Sequence, residues 1–338
     1  MKKILIMLVL VALIMITISC SKSGIVETEA QPGRRDYAWT VTEIKPGNES
    51  LYLTRIWGSS QNDVWSVGTT SWTATSMWHY NGIQWNCDSI PRAVQPSAIF
   101  GFSKSEVWLG NVNSTIWKYN GTNWIKYGEY KVEGFDNNFI INMVGNNNND
   151  IYSVGFANSS GNWQGILMHF DGYRWSFVNI PKVKVGLQTI AIDSKNGELV
   201  MSGTDFDPKG FIAKLYSWDG KELKELLSEQ GWSFVTKLDD EIFATMNSKI
   251  YKYSDKQLTL WKDNTGTGIN GNIICGRSRN DFFIGSSDGI KHFNGTDFTT
   301  VFPSTYEIQR GIIFEKNVFF NSYEFSTNKN YIIHGQLK

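Results

Sequence analysis

The sequence predicts an all-β fold: seven four-stranded antiparallel blades in a ring, closed by an N-terminal strand that completes the last blade. Two recurring signatures and one missing strand predict this β-propeller. The first signature is a carboxylate opening an apolar run. It reads Asp63-Val-Trp-Ser-Val-Gly68, Glu106-Val-Trp-Leu-Gly110 and Asp150-Ile-Tyr-Ser-Val-Gly155, then Glu198-Leu-Val-Met-Ser-Gly203, Glu241-Ile-Phe-Ala-Thr245 and Asp281-Phe-Phe-Ile-Gly285. Asn317-Val-Phe-Phe-Asn321 is a seventh, weaker copy. The second signature is a strand, a turn and a bulky residue three positions on. It appears as Trp78-His-Tyr-Asn-Gly82 with Trp85, Trp117-Lys-Tyr-Asn-Gly121 with Trp124, and Met168-His-Phe-Asp-Gly172 with Trp175. Tyr216 to Gly220 with Leu223, Tyr251 to Asp255 with Leu258, and Lys291 to Gly295 with Phe298 continue it. Both run in one phase at about forty residues, the period of a propeller blade.

The seventh copy lacks the turn, and the chain ends on a third strand near Tyr331. The fourth is expected from Tyr37-Ala-Trp-Thr-Val-Thr-Glu-Ile44, which has the grammar of the run after Trp175. Such closure removes exposed sheet edges.

Residues 55–91 show one repeat in full, with apolar runs at 55–58, 64–68, 77–80 and 84–90. Asn81-Gly82 between alternating runs predicts a two-residue hairpin with both turn residues at positive φ. The first runs, such as Ile56-Trp57, Ile99-Phe100 and Ile274-Cys275, are expected to line the centre, where Gly58, Gly101, Gly145 and Gly276 allow close backbones. The opening carboxylates are expected to accept backbone N–H bonds in tight turns. The Trp or Phe after each hairpin is expected to pack between blades.

The chain begins Met1-Lys2-Lys3, followed by an apolar run over residues 4–18 and then Ser19-Cys20. This reads as a secretory signal peptide. The run falls short of the roughly 20 apolar residues of a membrane span. It resembles a bacterial lipoprotein signal, with Thr17 where Leu is usual. The resemblance implies lipidation at Cys20, and Ser21 in the next position implies outer-membrane delivery. The expected domains are a signal over residues 1–19, a flexible tether over 20–36 and the propeller over 37–338. Without residues 1–19, which hold Lys2 and Lys3, the net charge is about −2. That leaves no basic field for nucleic acid. Cys87 and Cys275 fall at different radii and are expected to be unbridged, small buried hydrophobes.

The repeat resembles that of bacterial surface and secreted proteins of the form WG-x(4)-DVW-x-VG … HYNG-x-x-W, loosely akin to kelch-type propellers. The resemblance covers residues 37–338 and is best over 55–85 and 143–175. It implies a propeller and no particular activity.

His79, His169 and His292 share one repeat position, with His334 near its equivalent. Equivalent positions spread around a ring and cannot converge on one ion, so a structural role is expected and no metal or cofactor. The repeated carboxylates likewise lack the pairing of glycosidase acids. Asp205, Asp207, Asp239 and Asp240 lack calcium-loop spacing and read as solvated charges. A sialidase would carry Ser-x-Asp-x-Gly-x-x-Trp boxes and an arginine triad, of which Ser286-Ser287-Asp288-Gly289 gives only a start. There is no nucleophile elbow or phosphate loop.

Binding is therefore the expected function. The connections from second to third strand, and from fourth strand to the next blade, vary: 69–75, 91–95, 128–138, 156–165, 204–210 and 322–330. They carry Trp72, Arg92, Tyr130, Phe135, Trp163, Phe206 and Tyr323, the candidate contacts for a protein or glycan. Such a module would be a monomer that meets the membrane only through its anchor. The alternative is a carbohydrate-active hydrolase or lyase at the mouth of the central channel.

Overall fold

Each repeat folds as one four-stranded antiparallel sheet. A computed structural model describes residues 32–47, 49–71, 75–88, 94–207 and 210–338, the side chains of 207 and 270–273 excepted. Among the described residues the sheets number seven. Blade one comprises Leu51–Ser60, Asp63–Thr70, Met77–Tyr80 and Trp85–Cys87. The first strands of blades two to six are Pro96–Ser103, Asn137–Asn147, Gly186–Ile192, Ser233–Leu238 and Ile269–Ser278. Blade seven takes Glu307–Ile313, Asn317–Glu324 and Lys329–Leu337 from the C-terminus and Tyr37–Ile44 from the N-terminus, as predicted.

First strands of successive blades touch all the way round, and the seventh touches the first. They therefore line a central channel. Glycine makes this crowding possible. A Cβ at Gly101 would lie 2.8 Å from the Trp57 ring, and one at Gly145 would lie 2.9 Å from Phe102 of the preceding blade.

Aromatic rings join the blades. The fourth-strand residue of one blade packs on the second strand of the blade before it. Trp124 meets Trp65 (ring centroids 5.5 Å apart), Trp175 meets Trp108 (5.8 Å), and Trp85 meets Phe319 (6.5 Å). Trp39 does the same at the closure, 6.5 Å from Phe283. Edge-on geometry of this kind adds to the area that the rings bury.

Closure has polar partners too. Arg277 of blade six donates to the Tyr37 hydroxyl at 3.2 Å, to Asp281 at 2.8 Å and to the Phe314 carbonyl at 2.8 Å. Asn330 of blade seven clamps blade one, accepting from Leu53 N at 2.9 Å and donating to Leu51 O at 2.7 Å. The sequence starts the propeller at Tyr37, yet bonds to it begin earlier. Gly33 N donates to Asn280 O at 3.0 Å, and Arg35 donates to His292 O at 3.0 Å.

Two expectations need correction. The Asn-Gly hairpin is not a two-residue turn. Gly82 has φ of 90°, whereas Asn81 is not at positive φ. The Asn81 side chain instead accepts from the N–H groups of Ile83 and Gln84, both at 3.0 Å. This Asx turn makes a four-residue loop, so the fourth strand starts at Trp85 and not at 84. Asn120, Asp171, Asp219 and Asn294 repeat it.

The opening carboxylates do more than serve the turn backbone. Asp63 accepts there from Ser59 and Glu198 meets Asn196 and Tyr253, but Asp63, Glu106, Asp150, Glu241 and Asp281 also reach side chains on the third strand. Asp63 meets His79 Nε2 at 2.6 Å, Asp150 meets His169 at 2.8 Å, and Asp281 meets His292 at 2.8 Å. Glu106 accepts from Lys118 at 2.8 Å, and Glu241 from Lys252. The two sequence signatures are thus two halves of one cross-strand pair. Cys87 and Cys275 are not bridged to each other, and Cys87 is only half-buried because it lies on an outer strand.

Candidate binding face

Blade geometry gives the ring two unlike faces. One carries the uniform Asx turns. The other carries the second-to-third strand hairpins and the connections between blades. On this second face the strands of blades three and four outrun the sheet body. Asp150–Ser159 and Asn162–Phe170 pair to their ends around Ser160 and Gly161, at φ 50° and 80°. Leu199–Asp207 and Gly210–Trp218 pair likewise. The segments expected as loops at 156–165 and 204–210 are therefore mostly strand. Positive φ at both turn residues matches the right-handed strand twist, so the ladder continues to the tip.

These arms hold a continuous row of aromatic rings. Phe139 stacks on its cross-strand partner Phe156 with centroids 4.6 Å apart. Phe156 lies 5.0 Å from Trp163, and Trp163 4.7 Å from Phe206 of the next blade. Phe206 meets its partner Phe211 at 5.7 Å, and Phe211 meets Trp232 at 4.9 Å. The row crosses blades three and four and ends just before blade five. Phe211 and Trp232 are 44% and 45% exposed, and the other four rings are half-buried. Gly186 lies beneath, where a Cβ would come within 2.9 Å of Phe206 and 3.0 Å of Phe156. Beside Trp163 a cleft of about 340 Å³ is lined by Lys131, Glu133, Gln164, Phe177, Ile180 and Lys182.

Of the residues singled out from sequence, Trp163 and Phe206 come together in this row. Tyr323 joins a smaller cluster over blades seven and one, 4.8 Å from Tyr52 and 5.0 Å from Phe325, which is 65% exposed. Tyr130 is half-buried and stands apart from the row. It folds back against the core between blades two and three, its hydroxyl beside Gly128. Phe135 is half-buried in a turn, with its N–H on Val132 O at 3.2 Å. Trp72, Arg92 and Cys20 lie outside the described residues.

Phe139, Phe156, Phe211 and Trp232 escaped the sequence reading, which sought aromatics at loop centres. Their signal was register. Phe139 with Phe156, and Phe206 with Phe211, are facing pairs once the hairpins are extended.

The histidines have structural duties. Each is bonded within its own blade and packs on a second-strand ring: His79 on Trp65, His169 on Tyr152, His292 on Phe283 and His334 on Phe319. Among the described residues, no three of His, Cys, Asp and Glu gather where they could hold a metal ion. Burial tends to push the Asp63 and Asp281 carboxyls up. Hydrogen bonds from His79 and Ser59, and from His292 and Arg277, outweigh it and leave both below the usual range.

His334 differs, because its partner is the amide of Asn317 at 2.7 Å. Burial holds its imidazole below the ordinary value. A depressed histidine contributes stability that is complete above its unfolded pKa, about 6.5, and is lost as pH falls toward the folded one. Thermal melts from pH 7.5 to 5 should therefore fall more steeply for the wild type than for His334→Gln. Parallel curves would contradict this.

No family model matches the chain, and no curated protein matches it by sequence. Among solved structures, one described as YCF48 bound to D1 peptide is similar. The match covers 91% of this chain and 98% of that one at 11% identity, with a TM-score of 0.63. The likeness is one of fold.

Proposed function

We propose that this chain is an envelope binding module that holds a protein or glycan against the aromatic row from Phe139 to Trp232, tethered to the outer membrane through Cys20. The observation that carries it is the continuity of the six rings. Scattered exposed aromatics are ordinary, whereas a contiguous apolar row on hairpins suits a contact surface. The similar structure supports this reading, since its description has a peptide bound to a propeller. A protein or peptide partner fits best.

A paired selection tests the proposal. Peptide and glycan libraries are passed over the wild type and over Trp163→Ala/Trp232→Ala. Ligands recovered by the wild type should be lost by the variant. Equal recovery by both would refute the assignment.

A further inference from the structure

Arg55 and Arg310 occupy the same position in neighbouring blades, and the aromatic row uses neither. In both first strands a shift of register sets one extra residue against the second strand: Thr54 in blade one, Gln309 in blade seven. Such a bulge re-aims the side chain that follows, and in both blades that residue is the arginine. Arg55 Nη1 donates to Thr54 O at 3.0 Å, and Arg310 Nη1 donates to Gln309 O at 2.9 Å. Arg55 then reaches blade three, where Nε donates to Ile141 O at 3.2 Å. Arg310 reaches blade five, its guanidinium 5.2 Å from the Phe234 ring centroid. Both therefore project across the channel from adjoining walls.

Among the described residues neither guanidinium bonds a carboxylate. Among the described residues, the charges acting on Arg55 are that of Arg310, which opposes its own, and that of Tyr52. Arg310 feels the Arg55 charge in return, together with Tyr52. A cavity of about 240 Å³ beside Arg310 is lined also by Lys237, Phe234, Asn142 and Thr189, with no acid in its wall; Arg55 is not part of that wall but bonds Ile141, the residue before Asn142. Both arginines are half-buried. Burial first, and then Arg310, pushes Arg55 down to about 9, and burial pushes Arg310 down to about 10. Unpaired buried cations destabilise a fold unless an anion joins them.

We propose that the channel binds an oxyanion, a carboxylate or phosphate group, between Arg55 and Arg310. The guanidinium fork matches the paired oxygens of either group. The cavity is smaller than the roughly 300–1,000 Å³ of ordinary ligand pockets. It suits the anionic end of a ligand with a few attached atoms. This site does not depend on the aromatic row.

Thermal melts test it, with sodium phosphate and sodium malonate titrated against sodium chloride at matched ionic strength. At least one oxyanion should raise Tm saturably, and chloride should not. A rise with malonate alone marks a carboxylate site, and one with phosphate alone a phosphate site. Arg55→Gln/Arg310→Gln should lose the response while melting no lower than the wild type without anion. Arg310→Lys keeps the charge and loses the fork, so it should shift the midpoint to at least tenfold higher anion. No rise with either oxyanion, an equal rise in the double variant, or an unshifted midpoint in Arg310→Lys would each overturn the proposal.

Discussion

Deleting Tyr37–Ile44 should abolish the single cooperative melt and leave a protein that aggregates with rising concentration. That strand pairs along its whole length with the last strand, from Tyr37 opposite Leu337 to Ile44 opposite Asn330. Its loss exposes an edge inside a ring that otherwise closes on itself. It also uncovers Phe283 and Phe320, which are fully buried and touch Trp39. Arg277 loses the Tyr37 hydroxyl. Tyr37, Trp39 and Ile44 each contribute roughly 1.5–3 kcal/mol through burial. A domain's total stability is only about 5–15 kcal/mol. Size-exclusion chromatography and melts of the deletion check this. A soluble monomer with the parent Tm would show that the ring does not need its closure.

Trp163→Ala/Trp232→Ala should weaken binding of a selected ligand by about 30-fold or more for each ring removed, following the ~2 kcal/mol threshold of an interface hot spot. The same change should scarcely alter the melt. Trp232 is nearly half exposed, and Trp163 stands at a hairpin end above the blade core. A large fall in stability would make Trp163 a scaffold residue. Titration calorimetry and melts on the same samples separate the two outcomes.

The scaffold was legible because its constraints repeat. Every blade must bury an inner strand, start a second strand after a tight turn and place a bulky apolar side chain between neighbours. Trp85, Trp124 and Trp175 therefore fell in the expected roles. What hid was pairwise. That Asp63 bonds His79 depends on cross-strand register, which neither signature shows alone. The binding face hid for a similar reason. Extension of the hairpins beyond the sheet decides that Phe156 and Trp163 are neighbours, while Tyr130 turns inward. Arg55 opened the most regular repeat in the chain and passed for a strand residue. Its meaning came from Arg310, which reaches the same place at the far end of the sequence.

Hydroxyl-radical footprinting of the protein with a selected ligand locates the contact directly. The account predicts protection at Trp163, Phe211 and Trp232. Ile83 and Tyr173, which are 85% and 89% exposed on the opposite Asx-turn face, should remain as reactive as in the free protein. Protection of Ile83 and Tyr173, with the aromatic row unchanged, would contradict it.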